Sequence, residues 1–173
     1  MLVWSFIQSM TTDPGQVPVF WGFHLGDPEN KRRRYCLMCN IFKPERCHHC
    51  SSCNRCVLNM DHHCPWTGNC IGLLNHKQFW LFLFYSLIGL VTMALLLVTE
   101  ADGRLEFSGT MVAAFGVSGS LFILLSLHTM LLLKGWSTLE MGSLMDDDIF
   151  ASKSKCDNWR AVFGQNFFFW FVV

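Results

Sequence analysis

The sequence predicts a membrane α-helical protein that carries a small cysteine-rich domain of short hairpins. Three observations predict it. Of 173 residues, 51% are hydrophobic and only 15% are charged, against about 25% charged in ordinary soluble domains. The apolar residues are gathered into two long runs. Eight of the nine cysteines fall between Cys36 and Cys70. The same composition excludes other classes. High hydrophobicity at zero net charge is not the signature of a disordered tail. Equal counts of basic and acidic residues, 13 each, lack the excess of a nucleic-acid binder, so no nucleic-acid partner is expected.

A spanning helix needs about 20 mostly apolar residues. Residues 79–98 form one uncharged run and residues 110–133 a second, with His128 as its one ionisable group. The connection holds Glu100, Asp102, Arg104 and Glu106 and is short, so the two spans form an antiparallel hairpin. Lys31, Arg32, Arg33, Arg34, Lys43, Arg46, Arg55 and Lys77 precede the first run; Lys134, Lys153, Lys155 and Arg160 follow the second. Basic residues collect on the cytosolic side, which places both flanks there. Trp80 and Trp136 stand at the cytosolic span ends, where indole favours the headgroup layer. His128 is read as a hydrogen-bonded packing group, and Asp146, Asp147 and Asp148 as a solvated acidic loop.

Residues 1–10 are apolar but too short to span, and no basic n-region precedes them, which argues against a signal peptide. Asp13-Pro14-Gly15 ends any helix begun there.

Between them lie the cysteines, with His48, His49, His62 and His63 interposed. On the cytosolic side thiols stay reduced, so paired Cys-x-x-Cys elements with histidines read as tetrahedral metal ligands, zinc above all. Residues 35–78 hold few large apolar groups, and a domain of about 40 residues without a core needs staples. Eight cysteines and four histidines exceed what two closed four-ligand sites require. Some thiols and imidazoles are therefore free. Spacing singles out Cys64, which follows Asp61, His62 and His63, so that carboxylate, imidazole and thiol lie within four residues. A free thiol beside a base is a candidate nucleophile. Cys47 reads as a spare thiol, and Cys156 as free or itself modified.

Cys36, Cys39, His49, Cys50, Cys53, Cys56, Asp61, His62, His63, Cys64, Cys70, Asn75 and Phe79 stand at the spacings of the DHHC protein S-acyltransferases, the palmitoyltransferases, which this sequence closely resembles. Asp13-Pro14-Gly15, Ser137-Thr138-Leu139-Glu140 and the stretch from Asn158 to Asn166 resemble further elements of that family, so nearly the whole chain is covered. The resemblance implies two structural zinc ions, one held by Cys36, Cys39, His49 and Cys56, the other by Cys50, Cys53, His63 and Cys70. It implies Cys64 as nucleophile, His62 as its base and Asp61 as the group that orients His62. Thr138 is implied to support Asp61, and Asn166 to anchor the C-terminal segment against the second span.

The implied division is a remnant of a transmembrane helix at 1–12, a cytosolic linker at 13–34, the zinc domain at 35–78, the transmembrane hairpin at 79–133 and a cytosolic C-terminal segment at 134–173. Relatives have at least four spans, so an N-terminally truncated chain is expected. The implied reaction moves a fatty acyl group, commonly palmitoyl, from acyl-CoA through an acyl-Cys64 intermediate to cysteines of membrane-proximal proteins. The implied setting is an integral membrane protein of an endomembrane or the plasma membrane, with its site on the cytosolic face of the bilayer. Phe82, Tyr85, Ser86 and Phe122 are candidates for setting acyl length. Lys31 to Arg34 is a candidate for CoA phosphates, with a solvated basic face as the alternative. Trp66 either seats the thioester or packs. The rival function is a noncatalytic zinc-binding membrane adaptor.

Overall fold

A computed structural model describes residues 1–22, 34–100, 109–141 and 154–172. The interhelical connection, Lys31 to Arg33 and the acidic triplet Asp146 to Asp148 lie outside them. Helix α1 (Leu2–Thr11) is followed by three two-stranded antiparallel hairpins: β1 (Tyr35–Cys36) with β2 (Ile41–Phe42), β3 (His48–Cys50) with β4 (Arg55–Val57), and β5 (His62–Cys64) with β6 (Asn69–Ile71). Helices α2 (His76–Glu100) and α3 (Gly109–Lys134) follow, then the single turn α4 (Thr138–Met141) and helix α5 (Lys155–Phe163).

Each hairpin turns on a residue in the left-handed region: Asn40, Asn54 and Gly68, at φ 55°, 50° and 60°. Asn and Gly tolerate that conformation. The interior of the domain is mostly sulfur. One cluster packs Cys36, Cys47 and Cys56 with Val17, and a second packs Cys50 and Cys70 with Val57 and Met60.

Helices α2 and α3 have 25 and 26 residues, about 38 Å at 1.5 Å per residue, enough for a hydrocarbon core of about 30 Å. Their surfaces expose Ile88, Val91, Leu95, Phe115, Phe122 and Ile123, side chains that suit lipid rather than water. Trp80 of α2 meets Thr129 of α3, and Phe82 and Leu83 meet Leu121 and Leu125, so the pair is antiparallel. Helix α1 lies on α2, with Ser5 and Ser9 fully buried and Phe6 against Phe82 at 5.1 Å. Small residues let helices approach closely.

Two asparagines weld the hairpins to these helices. The Asn69 amide donates to the carbonyls of Ser9, Met10 and Thr12 at 3.2, 3.1 and 2.9 Å, closing the end of α1, whose last carbonyls lack helical partners. Asn75 donates to Cys70 O at 2.8 Å and accepts from Gly72 N at 2.9 Å, which sets the start of α2. The Asp13-Pro14-Gly15 turn is threaded beside them: Pro14 O accepts from Leu74 N at 3.1 Å, and Gly15 O from Leu58 N at 3.0 Å. Gly72 leaves room for it, since a Cβ there would stand 2.7 Å from Pro14 O.

The C-terminal segment differs from expectation twice. Trp80 faces protein rather than its surroundings: it is 5% exposed, packed by Phe84, Trp159 and Phe163, and its indole N–H donates to Thr129 Oγ1 at 3.0 Å. Helix α5 covers the span ends there, and the internal hydroxyl replaces water. Asn166 is exposed and caps only its own 3-10 turn, accepting from Phe168 N. Asn158 is the anchor. Helix α3 ends in a Schellman turn at Gly135, where Trp136 N donates to Leu131 O and Gly135 N to Leu132 O. Asn158 donates to the remaining carbonyl of Leu133 at 3.0 Å and lies against Gly135.

Candidate active site

Strand alternation explains why adjacent residues serve different neighbours, since successive side chains point to opposite faces. In the middle hairpin His49 pairs across with Cys56, and in the last His63 pairs with Cys70. Each pair meets two cysteines from the preceding hairpin. Cys36, Cys39, His49 and Cys56 converge in one cluster; Cys50, Cys53, His63 and Cys70 converge in the other. Cys36 and Cys39 Sγ lie 3.6 and 3.2 Å from His49 Nδ1. Cys50, Cys53 and Cys70 Sγ lie 3.6, 3.4 and 3.7 Å from His63 Nδ1. A tetrahedral zinc, with Zn–S about 2.3 Å and Zn–N about 2.0–2.1 Å, separates sulfur from nitrogen by about 3.5 Å. Three thiols and one imidazole at that spacing fit a closed structural zinc site, twice. Cys47 is buried but belongs to neither set; its carbonyl accepts from Arg34 Nη2 at 2.9 Å.

With His63 turned to the second cluster, His62 and Cys64 take the opposite face of β5, toward α2 and α3. Cys64 is 3% exposed and packs with Ile71, Phe79 and Leu83, bordered by Phe82, Leu121 and Leu125. His62 lies edge-on to Phe79 at 5.1 Å and beside the ring of His128 at 5.6 Å. Its Nδ1–H donates to Asp61 Oδ2 at 2.7 Å. The remaining ring nitrogen is left for the Cys64 thiol, with which the imidazole also interacts.

Asp61 is 1% exposed. Its Oδ1 accepts from the backbone N of Thr138 at 2.8 Å, and its Oδ2 from Thr138 Oγ1 at 2.7 Å as well as from His62. Thr138 is brought there from 77 residues away by a second contact: Arg46 donates to both carboxylate oxygens of Glu140 at 2.7 and 2.8 Å and to Gly135 O at 2.9 Å. A bidentate guanidinium–carboxylate pair fixes orientation as well as position.

The electrostatics follow. Burial pushes the Asp61 carboxyl up, but His62, His76 and Thr138 outweigh it and hold it well below the usual carboxylate range. Burial pulls His62 down, yet Asp61 and Cys64 raise it to about 9. Burial raises the Cys64 thiol, and His62, Thr67 and the backbone of Trp66 and Thr67 overcome it, bringing it to about 7. A thiol that ionises nearer neutrality than a free cysteine is a candidate nucleophile.

Other expectations are corrected. His128 is not hydrogen-bonded packing: its buried Nδ1 has no hydrogen-bond partner and lies 3.8 Å from Asp61 Oδ2. Of the four acyl-length candidates, Phe82 packs in the cluster that contains Cys64. The Tyr85 hydroxyl donates to Phe171 O, and Phe122 faces outward at 61% exposure. The Trp66 side chain is 83% exposed and does not pack. Sequence reasoning missed Leu121, Leu125, His76 and the Arg46–Glu140 pair. Their partners are remote in the chain, and no spacing announces them.

Fold and site together define a membrane protein whose hairpins carry two metal-binding clusters and hold a thiol, an imidazole and a carboxylate in the order used for covalent catalysis. Residues 29–144 match the family model of the DHHC palmitoyltransferases. The chain therefore belongs to the DHHC palmitoyltransferase family of acyltransferases. It is similar to "Probable protein S-acyltransferase 13" of Arabidopsis thaliana, 34% identical over 204 aligned positions that cover 99% of this chain and 68% of that one. It is also similar to "Probable protein S-acyltransferase 14" of the same plant, 34% identical over 119 positions covering 57% of this chain and 39% of that one.

Proposed function

We propose that this chain transfers a fatty acyl group, palmitoyl as the commonest case, from acyl-CoA to cysteines of membrane-proximal proteins. The observation that carries the reading is the position of Cys64. It is excluded from both metal clusters, faces His62, and opens onto apolar side chains of the spans. His62 takes the proton of the Cys64 thiol, and the thiolate so formed attacks the thioester carbonyl carbon. The carbon–sulfur bond to CoA breaks, CoA leaves as a thiol with the proton held by His62, and an acyl-Cys64 thioester remains. A substrate cysteine then gives its proton to His62 and attacks the same carbon; Cys64 leaves and regains its proton. Asp61 keeps the His62 tautomer that presents a lone pair to sulfur.

Cys36, Cys39, His49, Cys56, Cys50, Cys53, His63 and Cys70 would hold two zinc ions. Four protein ligands each make these closed sites that brace the hairpins. The reaction stays on the thiol and imidazole. The Cys64 face adjoins the span ends, which sets the thioester at the bilayer boundary, on the cytosolic side given the basic flanks.

The test is incubation of the membrane-reconstituted chain with labelled palmitoyl-CoA, followed by hydroxylamine. The expected result is hydroxylamine-labile label on the protein that Cys64→Ser abolishes while two zinc ions per chain remain. Label that survives Cys64→Ser refutes the assignment of the nucleophile. Two zinc ions with no label at all support the adaptor.

A further inference from the structure

Two more imidazoles approach Asp61, and that of His128 also stands 5.6 Å from the His62 ring. His76 opens α2 and His128 lies six residues before the end of α3. Asp61, His76 and His128 bring one donor atom each within 4.8 Å of one another. His76 Nε2 and His128 Nδ1 are both buried without a hydrogen-bond partner. An orphaned buried ring nitrogen is costly unless something occupies it, and two of them beside one carboxylate call for a shared cation. A cavity of about 270 Å³, lined in part by Arg46, Asn59, Asp61, His76, Ser137 and Asn158, leads to the carboxylate and to His76. It supplies both a route of entry and space for a water as fourth ligand.

We propose that Asp61, His76 and His128 form a third, regulatory metal site that takes a divalent transition ion, zinc in the first instance, and withdraws Asp61 from His62 when filled. Two imidazoles and a carboxylate with one open position are a known zinc donor type. A tetrahedral ion with bonds of about 2.0–2.1 Å spaces its donors about 3.4 Å apart. Asp61 Oδ2 and His128 Nδ1 already stand at 3.8 Å, and all three donors lie within 4.8 Å of one another. The ion and the catalytic pair compete for one atom. Oδ2 holds the His62 Nδ1 proton and the Thr138 hydroxyl. A divalent cation on that oxygen weakens it as an acceptor and repels the imidazolium that must form during proton transfer. The site differs from the two clusters in lacking sulfur, so it binds less tightly and responds to free zinc that leaves the closed sites unchanged.

The inhibitory half rests on the acyltransferase reading, and the binding half does not. The experiment separates them. The reconstituted chain carrying two zinc ions is titrated with zinc at buffered free concentration and then, separately, with cobalt(II). Bound metal is counted by elemental analysis, and acyl-enzyme formation is followed in parallel. The expected result is a third equivalent of either metal, the cobalt spectrum lacking thiolate charge transfer, with acylation lost in proportion to occupancy. His76→Gln and His128→Gln each keep the first two zinc ions and weaken the third by more than the roughly 10–100-fold that loss of an outer-shell partner costs. In both variants the acylation rate, whatever its value without added zinc, no longer falls over the zinc range that silences the parent chain. A count that stops at two, or a third equivalent unaffected by both substitutions, overturns the site. A third equivalent lost in both variants but without effect on acylation overturns the regulatory role. If acylation is absent even at two zinc ions, the acyltransferase reading fails and the metal count still decides the site.

Discussion

Asp61→Asn replaces one carboxylate oxygen by an NH2 group of the same size, and the hydrogen bonds around Asp61 leave that group nowhere to go. Three donors converge on the carboxylate: Thr138 N, Thr138 Oγ1 and His62 Nδ1. With the NH2 at the Oδ1 place, it meets the Thr138 N–H at 2.8 Å, donor against donor. At the Oδ2 place it faces His62, which must then accept at Nδ1 and carry its proton toward Cys64, the tautomer that cannot deprotonate a thiol. Each buried mismatch costs about 1–3 kcal/mol, and the lost general base costs about 10²–10⁴-fold in rate. The assay is the rate of hydroxylamine-labile labelling from palmitoyl-CoA, with zinc content as the control for folding. The expected outcome is two zinc ions per chain with labelling slowed by that factor. Labelling within about threefold of the parent chain, below even the low end of general-base contributions, would refute the reasoning that Asp61 acts by orienting His62.

Four other substitutions probe the surrounding structure. His63→Ala lowers the zinc count and unfolds the hairpins, whereas His62→Ala keeps both ions and loses acylation; equal zinc loss in the two removes the distinction that strand alternation draws between them. Gly72→Ala drives a Cβ to within 2.7 Å of Pro14 O and of Val57 Cγ1, and overpacking of this kind lowers stability by about 1–3 kcal/mol, seen as a fall in Tm. Burial raises the Glu140 carboxyl, but Arg46 and Ser137 outweigh it and hold it below its ordinary value. The pair therefore stabilises the fold fully above the ordinary carboxylate range of about 4.3, and that stabilisation is lost as pH falls through the lower folded value. Thermal melts of Glu140→Gln against the parent should show a gap at neutral pH that narrows in acid; a gap independent of pH contradicts the pairing.

Much of this protein is local and therefore legible in one dimension. Residues 79–98 and 110–133 announce α2 and α3, because a bilayer demands contiguous apolar length and little else. The helices extend those runs to His76–Glu100 and Gly109–Lys134. The grouping of eight ligands is half legible. Cys-x-x-Cys and strand alternation are local, but which pair of cysteines meets which histidine was available only through the resemblance. The alternation also separates His63 from His62 and Cys64 with no information beyond a period of two residues.

Contacts between residues far apart in the chain left no such mark. Asn158 rather than Asn166 closes α3, because the choice depends on where α5 lands against the Leu133 carbonyl. Trp80 is buried, because α5 and its aromatic rings cover the span end that would otherwise meet headgroups. Arg46 and Glu140 are 94 positions apart, and their pairing delivers Thr138 to Asp61. His76 and His128 sit on different helices, where a histidine in an apolar run carries no hint of its neighbour. Sequence by itself therefore determined the spans, the ligand types and the adjacency of Asp61, His62 and Cys64, since each depends on spacing within a single element. Tertiary structure alone decided that His76, His128 and the Arg46–Glu140 pair gather about Asp61 and Thr138, since these come from separate elements and only their packing sets the distances.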